Sequence, residues 1–240
     1  MPDRLAVFDK QCFIRGVKLF THDKTFVVAS DQPLHVLSSA VLGADLRQAR
    51  YIINHSVDKE YDGSDPEEDL RRVAVRLGLG RDVLGMMTAV GIQNTVLRRE
   101  RQKGLTVATL CTAGTGNPGA AGLPCVMAPG QYKPGTINII LLVDGNLSEA
   151  AMVNAVITAT EAKSRALFRA GVVLPGGEPA TGTTTDSMVV ACTGRGETLR
   201  YAGTATGLGY LIGSTVYGAV SQGVEVYKRS IMADFFMKDV

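Results

Sequence analysis

The sequence predicts an α+β fold, a largely antiparallel mixed sheet covered by helices. Three observations predict it: adjacent β-rich runs joined by very short turns, two segments of helical period, and Gly/Thr clusters that follow apolar runs. A mixed α/β sheet is the variant if two crossovers are parallel. With 240 residues, 45% hydrophobic and 20% charged, the chain can bury a large core and is expected to form one domain, residues 1–240.

The elements follow in order. Val17–Phe20 and Thr25–Ala29 flank the polar Thr21-His-Asp-Lys24, the pattern of a hairpin. Val36–Ser39 and Tyr51–Val57 read as further strands. Asp65-Pro-Glu-Glu68 then supplies an N-cap, a proline at the first helical position and acids where the helix dipole favours them. Leu70, Val73, Ala74 and Leu77 continue at helical spacing, and Gly78 stops the helix. Val83–Val90, Thr95–Arg101 and Leu105–Thr112 read as three strands, and their short links call for antiparallel pairing. Ile137–Val143 is a β-rich run ending at Asp144-Gly145. Ser148 caps a long helix through Ala170, ended by Gly171. Met188–Cys192 is a buried strand, and Leu208 to Ser221 a helix despite its glycines. Pro175, Gly176, Gly177 and Pro179 mark Leu174–Gly182 as the flexible segment.

Composition removes several function classes. The net charge is +2, and the one dense basic stretch, Arg98–Lys103, reads as a solvated hairpin tip. Without Trp or interleaved aromatic residues it offers nucleic acid little, and no nucleic-acid partner is expected. Cys12, Cys111, Cys125 and Cys192 form no metal-ligand spacing, and Cys111 and Cys192, which end apolar runs, read as buried free thiols. The N-terminal residues lack the apolar run of a secretion signal, and Ile137–Val143 is too short to span a bilayer. A cytoplasmic location with no membrane association is therefore expected, and a homo-oligomer is compatible with the sequence.

No H-E-x-x-H, G-x-S-x-G or P-loop occurs. Gly114-Thr-Gly-Asn-Pro-Gly119 matches a dinucleotide fingerprint as a string, but Pro118 and the Gly/Pro-rich sequence after it do not open a helix. What remains is four Gly/Thr/Asn turns: Ala113–Asn117, Pro134–Asn138, Thr181–Asp186 and Tyr201–Thr206. Each offers backbone N–H groups and short hydroxyl or amide side chains, suited to amide recognition or an oxyanion. The bland reading is that they are tight turns. Against it, Thr181–Asp186 gathers four hydroxyls and a carboxylate.

Seven blocks then carry a resemblance. They are Val36-Leu-Ser-Ser-Ala-Val-Leu-Gly43, Tyr61-Asp-Gly-Ser-Asp-Pro-Glu-Glu-Asp-Leu70, Met86-Met-Thr-Ala89, Pro134-Gly-Thr-Ile-Asn-Ile-Ile-Leu-Leu-Val143, Ala155-Val-Ile-Thr-Ala-Thr-Glu-Ala-Lys163, Ala180-Thr-Gly-Thr-Thr-Thr-Asp-Ser187, and Tyr201-Ala-Gly-Thr204 through Leu208-Gly209 and Leu211-Ile-Gly213. In this order, across residues 35–220, the chain resembles the adenosylcobinamide amidohydrolase family. The resemblance implies hydrolysis of the amide joining the aminopropanol arm to the corrin ring, giving adenosylcobyric acid and aminopropanol in cobinamide salvage. The corrinoid is read as substrate because Asp-x-His-x-x-Gly, which ligates cobalt in many cobalamin-dependent enzymes, does not occur. No cofactor is expected, the cobalt belonging to the substrate; a metal requirement is left open. The chain departs from the family pattern at the Pro-rich continuation from Pro118 and at Ala205, where some members carry His.

Amide hydrolysis needs a nucleophile, a base, an oxyanion donor and an acid for the leaving amine. From residue chemistry, Asp186 is the first candidate base, against a role as the cap of its turn. Glu161 is the rival base, against a surface pair with Arg165; Lys163 reads as part of the same surface. Asn138 interrupts an apolar run, so its amide is either buried and satisfied or aimed at substrate, and a substrate or oxyanion contact is the preferred reading. Asn54 and His55 fall on opposite faces of one strand, so only one can face a site. The substrate-binding candidates are Asn54, Asn117, Thr136, Thr183, Thr184, Thr185, Ser187 and Thr204. Direct attack by water is preferred to attack by one of these hydroxyls. A corrinoid-binding module without catalysis, or another amidohydrolase on the same scaffold, are the alternatives.

Overall fold

The computed structural model describes residues 14–58, 60–61, 63–124 and 135–236. The sheet is organised around one strand that the sequence divides in two. β1 (Val17–His22) and β2 (Thr25–Ser38) form the expected hairpin, with Asp23 at φ 48° in its turn. Thr25–Ala29 and the run from Val36, which ends at Ser38 and not Ser39, both belong to β2, because the residues between Ala29 and Leu34 bulge instead of breaking the pairing with β3 (Asp45–Ser56).

Next come α1 (Pro66–Arg76), β4 (Val83–Thr88), β5 (Val96–Gln102), β6 (Leu105–Ala113), β7 (Pro118–Gly119), β8 (Ile137–Asp144) and β9 (Asn146–Leu147). The chain then runs through α2 (Glu149–Arg169), β10 (Gly182–Thr183), β11 (Ser187–Cys192), β12 (Thr198–Leu199) and α3 (Gly207–Phe236). Asp65 caps α1 by accepting from the Glu68 N–H, and Ser148 caps α2 by accepting from the Ala151 N–H. Gly171, at φ 65°, follows α2 where a left-handed residue ends a helix. The helix read at Leu208–Ser221 runs on to Phe236. Its face of Val216, Ala219, Val220 and Val224 is buried, and that packing outweighs the low propensity of its glycines.

The main sheet runs β4-β3-β2-β11-β8-β6-β5, with β1 alongside β2. It is antiparallel except at β3/β4 and β8/β11, the two pairs that α1 and α2 connect. β7/β10 and β9/β12 are two-residue ribbons. β5 and β6 pair antiparallel as expected, but β4 lies at the far edge, parallel to β3, so its short link to β5 spans two edges. The segment read as flexible contains a hydrogen-bonded turn, Leu174 N–H to Glu178 O at 2.8 Å and Gly177 N–H to Leu174 O at 2.9 Å.

Strand alternation sorts the core. Ile137, Ile139, Leu141 and Val143 meet α2 and α3, where Ala151, Ala155, Ala159 and Ala166 let α2 sit close. Ile140 and Leu142 point the other way, to Phe26, Val28, Ile52, Leu84 and Leu110. That face packs against itself, so β4 touches β8 although three strands lie between them in the ladder. Val27, Ile53 and Val83 pack under Leu70, Val73 and Ala74 of α1. Cys111 and Cys192 are buried free thiols, and burial pushes both above the usual thiol range. Cys12 and Cys125 lie outside the described residues.

Where β4 meets β8 the contact is polar. Asn138 donates to Asn54 Oδ1 at 2.8 Å and to the Met87 carbonyl at 2.7 Å. Asn54 donates in turn to Thr112 Oγ1 at 3.0 Å. Asn138 is 2% exposed and Asn54 4%, so the arrangement is that of the alternative reading, amides buried and satisfied within the protein, rather than the preferred one of a substrate contact. Both amides are spent on joining β3, β4, β6 and β8, because buried polar groups must find partners.

Candidate active site

Three of the four Gly/Thr turns converge. β7 and β10 pair Pro118 with Thr183 and Gly119 with Gly182, which joins the turn after β6 to the turn before β11. Asn117 Nδ2 donates to Thr184 Oγ1 at 2.6 Å, and the Ala121 N–H to Thr181 Oγ1 at 2.9 Å. The third turn joins through Thr136 Oγ1, which donates to the Thr185 carbonyl at 2.7 Å, and Thr185 Oγ1, which donates to the Gly135 carbonyl at 3.1 Å. The fourth turn is engaged elsewhere: Thr206 Oγ1 accepts from the Gly209 N–H at 2.9 Å and caps α3.

Over the converged turns lies a cavity of about 1060 Å³. Asp186, Thr183 and Thr184 line it together with Thr160, Lys163 and Ser164 of α2; Ala120, Leu123, Leu174 and Pro175 give it apolar walls. In it Lys163 Nζ and Asp186 Oδ2 form an ion pair, with side chains 12% and 17% exposed. No other ion pair among the described residues is as buried. The other carboxylate oxygen, Oδ1, accepts from the Thr183 N–H at 3.1 Å, from the Ile137 N–H at 3.2 Å and from Thr183 Oγ1. Asp186 therefore caps its turn and also faces the cavity. One oxygen orders the turn; the other meets the ammonium in the cavity. Charge-assisted bonds of this number fix the carboxylate's orientation. Gly182 makes room for the pair, since a Cβ there would strike the Asp186 carboxylate and lie 2.9 Å from Lys163 Nζ.

Lys163, which sequence reasoning placed on the surface, faces this cavity instead. Thr160, Lys163 and Ser164 share a helix face at i, i+3 and i+4, and that spacing was the available signal. Glu161, the rival base, is exposed on α2 and is not among the residues lining the cavity; Arg165, its expected partner, stacks over Tyr217 at 4.6 Å. Thr204 and Ala205 are exposed in the turn before α3, also outside the lining. Ser187 donates to the Ser39 carbonyl at 3.2 Å, and Thr136 and Thr185 support the turn from behind. Asn117 is fully buried, its Nδ2 on Thr184 and its Oδ1 without a partner among the described residues. Of the eight expected substrate contacts, Thr183 and Thr184 line the cavity. Among the described residues no group of three or more His, Cys, Asp and Glu is set to hold a metal ion.

His55, on the face opposite Asn54, lines a second cavity of about 630 Å³ with Lys24, Arg72 and Arg76. Its Nδ1 shares a hydrogen bond with Thr25 Oγ1 at 2.8 Å. Burial first, then the Arg76 and Lys24 charges, pushes the imidazole below its ordinary 6.5, with Asp23 and Asp58 opposing. The folded state thus favours the neutral ring, and the unfolded chain binds the extra proton. The stability this contributes is complete above 6.5 and is lost as pH falls toward the folded-state value. Unfolding midpoints between about pH 5 and 7 should accordingly rise with pH, and His55→Gln should flatten the rise.

A carboxylate that can take a proton, an ammonium that can give one and a hydroxyl beside them are the parts that cleavage of an unactivated amide requires. Comparison with known proteins agrees on the class, a hydrolase acting on a carbon–nitrogen amide bond. Residues 10–231 match the family described as adenosylcobinamide amidohydrolase, and the chain belongs to that family. A protein of that name from Methanosarcina mazei is 30% identical over 213 residues, covering 85% of this chain and 96% of its own. Another of the same name, from Halobacterium salinarum, is 37% identical over 125 residues, half of each chain. No described helix is long and apolar enough to cross a membrane.

Proposed function

We propose that this chain hydrolyses the amide between the aminopropanol arm and the corrin ring of adenosylcobinamide, releasing adenosylcobyric acid and aminopropanol. The reaction salvages cobinamide in the cytoplasm. The observation that carries the site assignment is the Lys163–Asp186 ion pair in the cavity, with Thr183 against the carboxylate. Asp186 takes a proton from the attacking group, and Lys163 protonates the departing amine. Asp186 then returns a proton to Lys163 and restores the pair. The apolar walls at Leu123, Leu174 and Pro175 meet the macrocycle, while the polar floor receives the arm.

The test is to incubate the protein with adenosylcobinamide and follow the products by mass. Adenosylcobyric acid and free aminopropanol in equal amounts are the expected result. Tight binding with unaltered adenosylcobinamide would make the protein a corrinoid-binding module, and cleavage of a different amide would overturn the choice of bond.

A further inference from the structure

The identity of the attacking group can be read from where each hydroxyl in the converged turns sends its proton. Ser164 Oγ donates to the Thr181 carbonyl at 3.1 Å, Thr185 Oγ1 to the Gly135 carbonyl at 3.1 Å and Ser187 Oγ to the Ser39 carbonyl at 3.2 Å. Those hydroxyls hold the backbone in place. Thr181 Oγ1 accepts from the Ala121 N–H at 2.9 Å and Thr184 Oγ1 from the Asn117 amide at 2.6 Å, and among the described residues neither is hydrogen-bonded to a carboxylate. Thr183 is different: it lines the cavity and its Oγ1 donates to Asp186 Oδ1, while Asp186 Oδ2 holds Lys163. Its backbone N–H bonds the same Oδ1 at 3.1 Å, which fixes the hydroxyl against the base. A nucleophile within hydrogen-bond reach of a base that is itself oriented by a third group is the arrangement covalent catalysis needs.

We infer that Thr183 is the nucleophile and that the reaction passes through an ester between Thr183 Oγ1 and the corrin carboxyl carbon. This rests on the amide hydrolysis proposed above and adds the identity of the attacking atom, replacing the expected direct attack by water. Thr183 Oγ1 bonds to the amide carbon as its proton moves to Asp186. The tetrahedral adduct then collapses, breaking the C–N bond, and the amine leaves with a proton from Lys163. Asp186 passes its proton to Lys163, which restores the ion pair. Water adds to the ester carbon, giving a proton to Asp186. The C–O bond breaks, and Thr183 Oγ1 takes that proton back.

An ester intermediate is open to capture by another nucleophile, and hydroxylamine is the probe. With adenosylcobinamide and rising hydroxylamine, the expected result is that the corrinoid hydroxamate replaces adenosylcobyric acid. Aminopropanol release shows no matching first-order rise with hydroxylamine, since the amine leaves before the capture step. Thr183→Ala should slow release by more than about a thousandfold while still binding the corrinoid by absorbance titration, and Thr183→Ser should restore release and capture. Acid alone as product at every hydroxylamine concentration, or Thr183→Ala turning over within about tenfold of the parent with its fold intact, overturns the inference and leaves water as the attacker. If the parent protein releases no aminopropanol at all, the proposed reaction itself fails, an outcome visible before any variant is compared.

Discussion

Asp186→Asn should lower kcat by about a hundredfold to ten-thousandfold while KM moves little, as measured by the initial rate of aminopropanol release. The asparagine carbonyl can keep the bonds from the Thr183 and Ile137 N–H groups, so the turn survives. What it loses is the ability to take a proton, and it sets an amide donor against the Lys163 ammonium in place of an acceptor. A desolvated ammonium without its counter-charge also lowers stability by about 1–3 kcal/mol, less than for a fully enclosed pair because the cavity admits water. Lys163→Met should lower kcat comparably, since the departing amine then lacks its proton donor. Full activity in a folded Asp186→Asn protein would remove Asp186 from the chemistry.

Asn138→Ala tests the opposite kind of residue. Its two donated bonds, to Asn54 Oδ1 and the Met87 carbonyl, hold β8 against β3 and β4 in the interior. Removing them leaves two buried acceptors unpaired and a small void, a cost of about 2–4 kcal/mol. For a chain of this size, that corresponds to a fall in melting temperature of about 4–16 °C. KM should stay near that of the parent, because both amide N–H donors are engaged within the protein and the residue is buried. A raised KM with an unchanged melting temperature would return Asn138 to the substrate-contact role that its place in an apolar run suggested.

Local chemistry made much of the fold legible. The caps Asp65 and Ser148, the stop at Gly171 and the two hairpins are each specified within a few residues, and each lies where the sequence puts it. What local chemistry does not encode is pairing across distance. The bulge between Ala29 and Leu34 keeps β2 continuous because β3 pairs on both sides of it, and β4 joins β3 because α1 supplies the crossover. The C-terminal half of α3 likewise depends on packing: a Cβ at Gly223 would lie 3.0 Å from the Ala113 Cβ, so the glycine that weakens the helix also lets it approach β6.

The site divides in the same way. Thr183, Thr184 and Asp186 were legible because hydroxyls and a carboxylate crowd one turn. Lys163 was not, because a lysine near Glu161 and Arg165 on a helix has the composition of a solvated face; only the approach of α2 to the Thr181–Asp186 turn turns it inward. Asn138 and Asn54 could be recognised as buried polar residues, but their partners are in strands β3, β4, β6 and β8, remote in sequence. A buried amide satisfied by another amide and one awaiting a ligand read alike until those strands meet.

The most direct measurement is a structure of the slowed Asp186→Asn variant with adenosylcobinamide bound. The account predicts the aminopropanol arm in the cavity beneath α2, with its amide carbon facing Thr183 Oγ1 and its nitrogen within hydrogen-bond reach of Lys163. A corrinoid seated in the cavity beside His55, or one whose aminopropanol arm points away from Lys163 and Thr183, would contradict it.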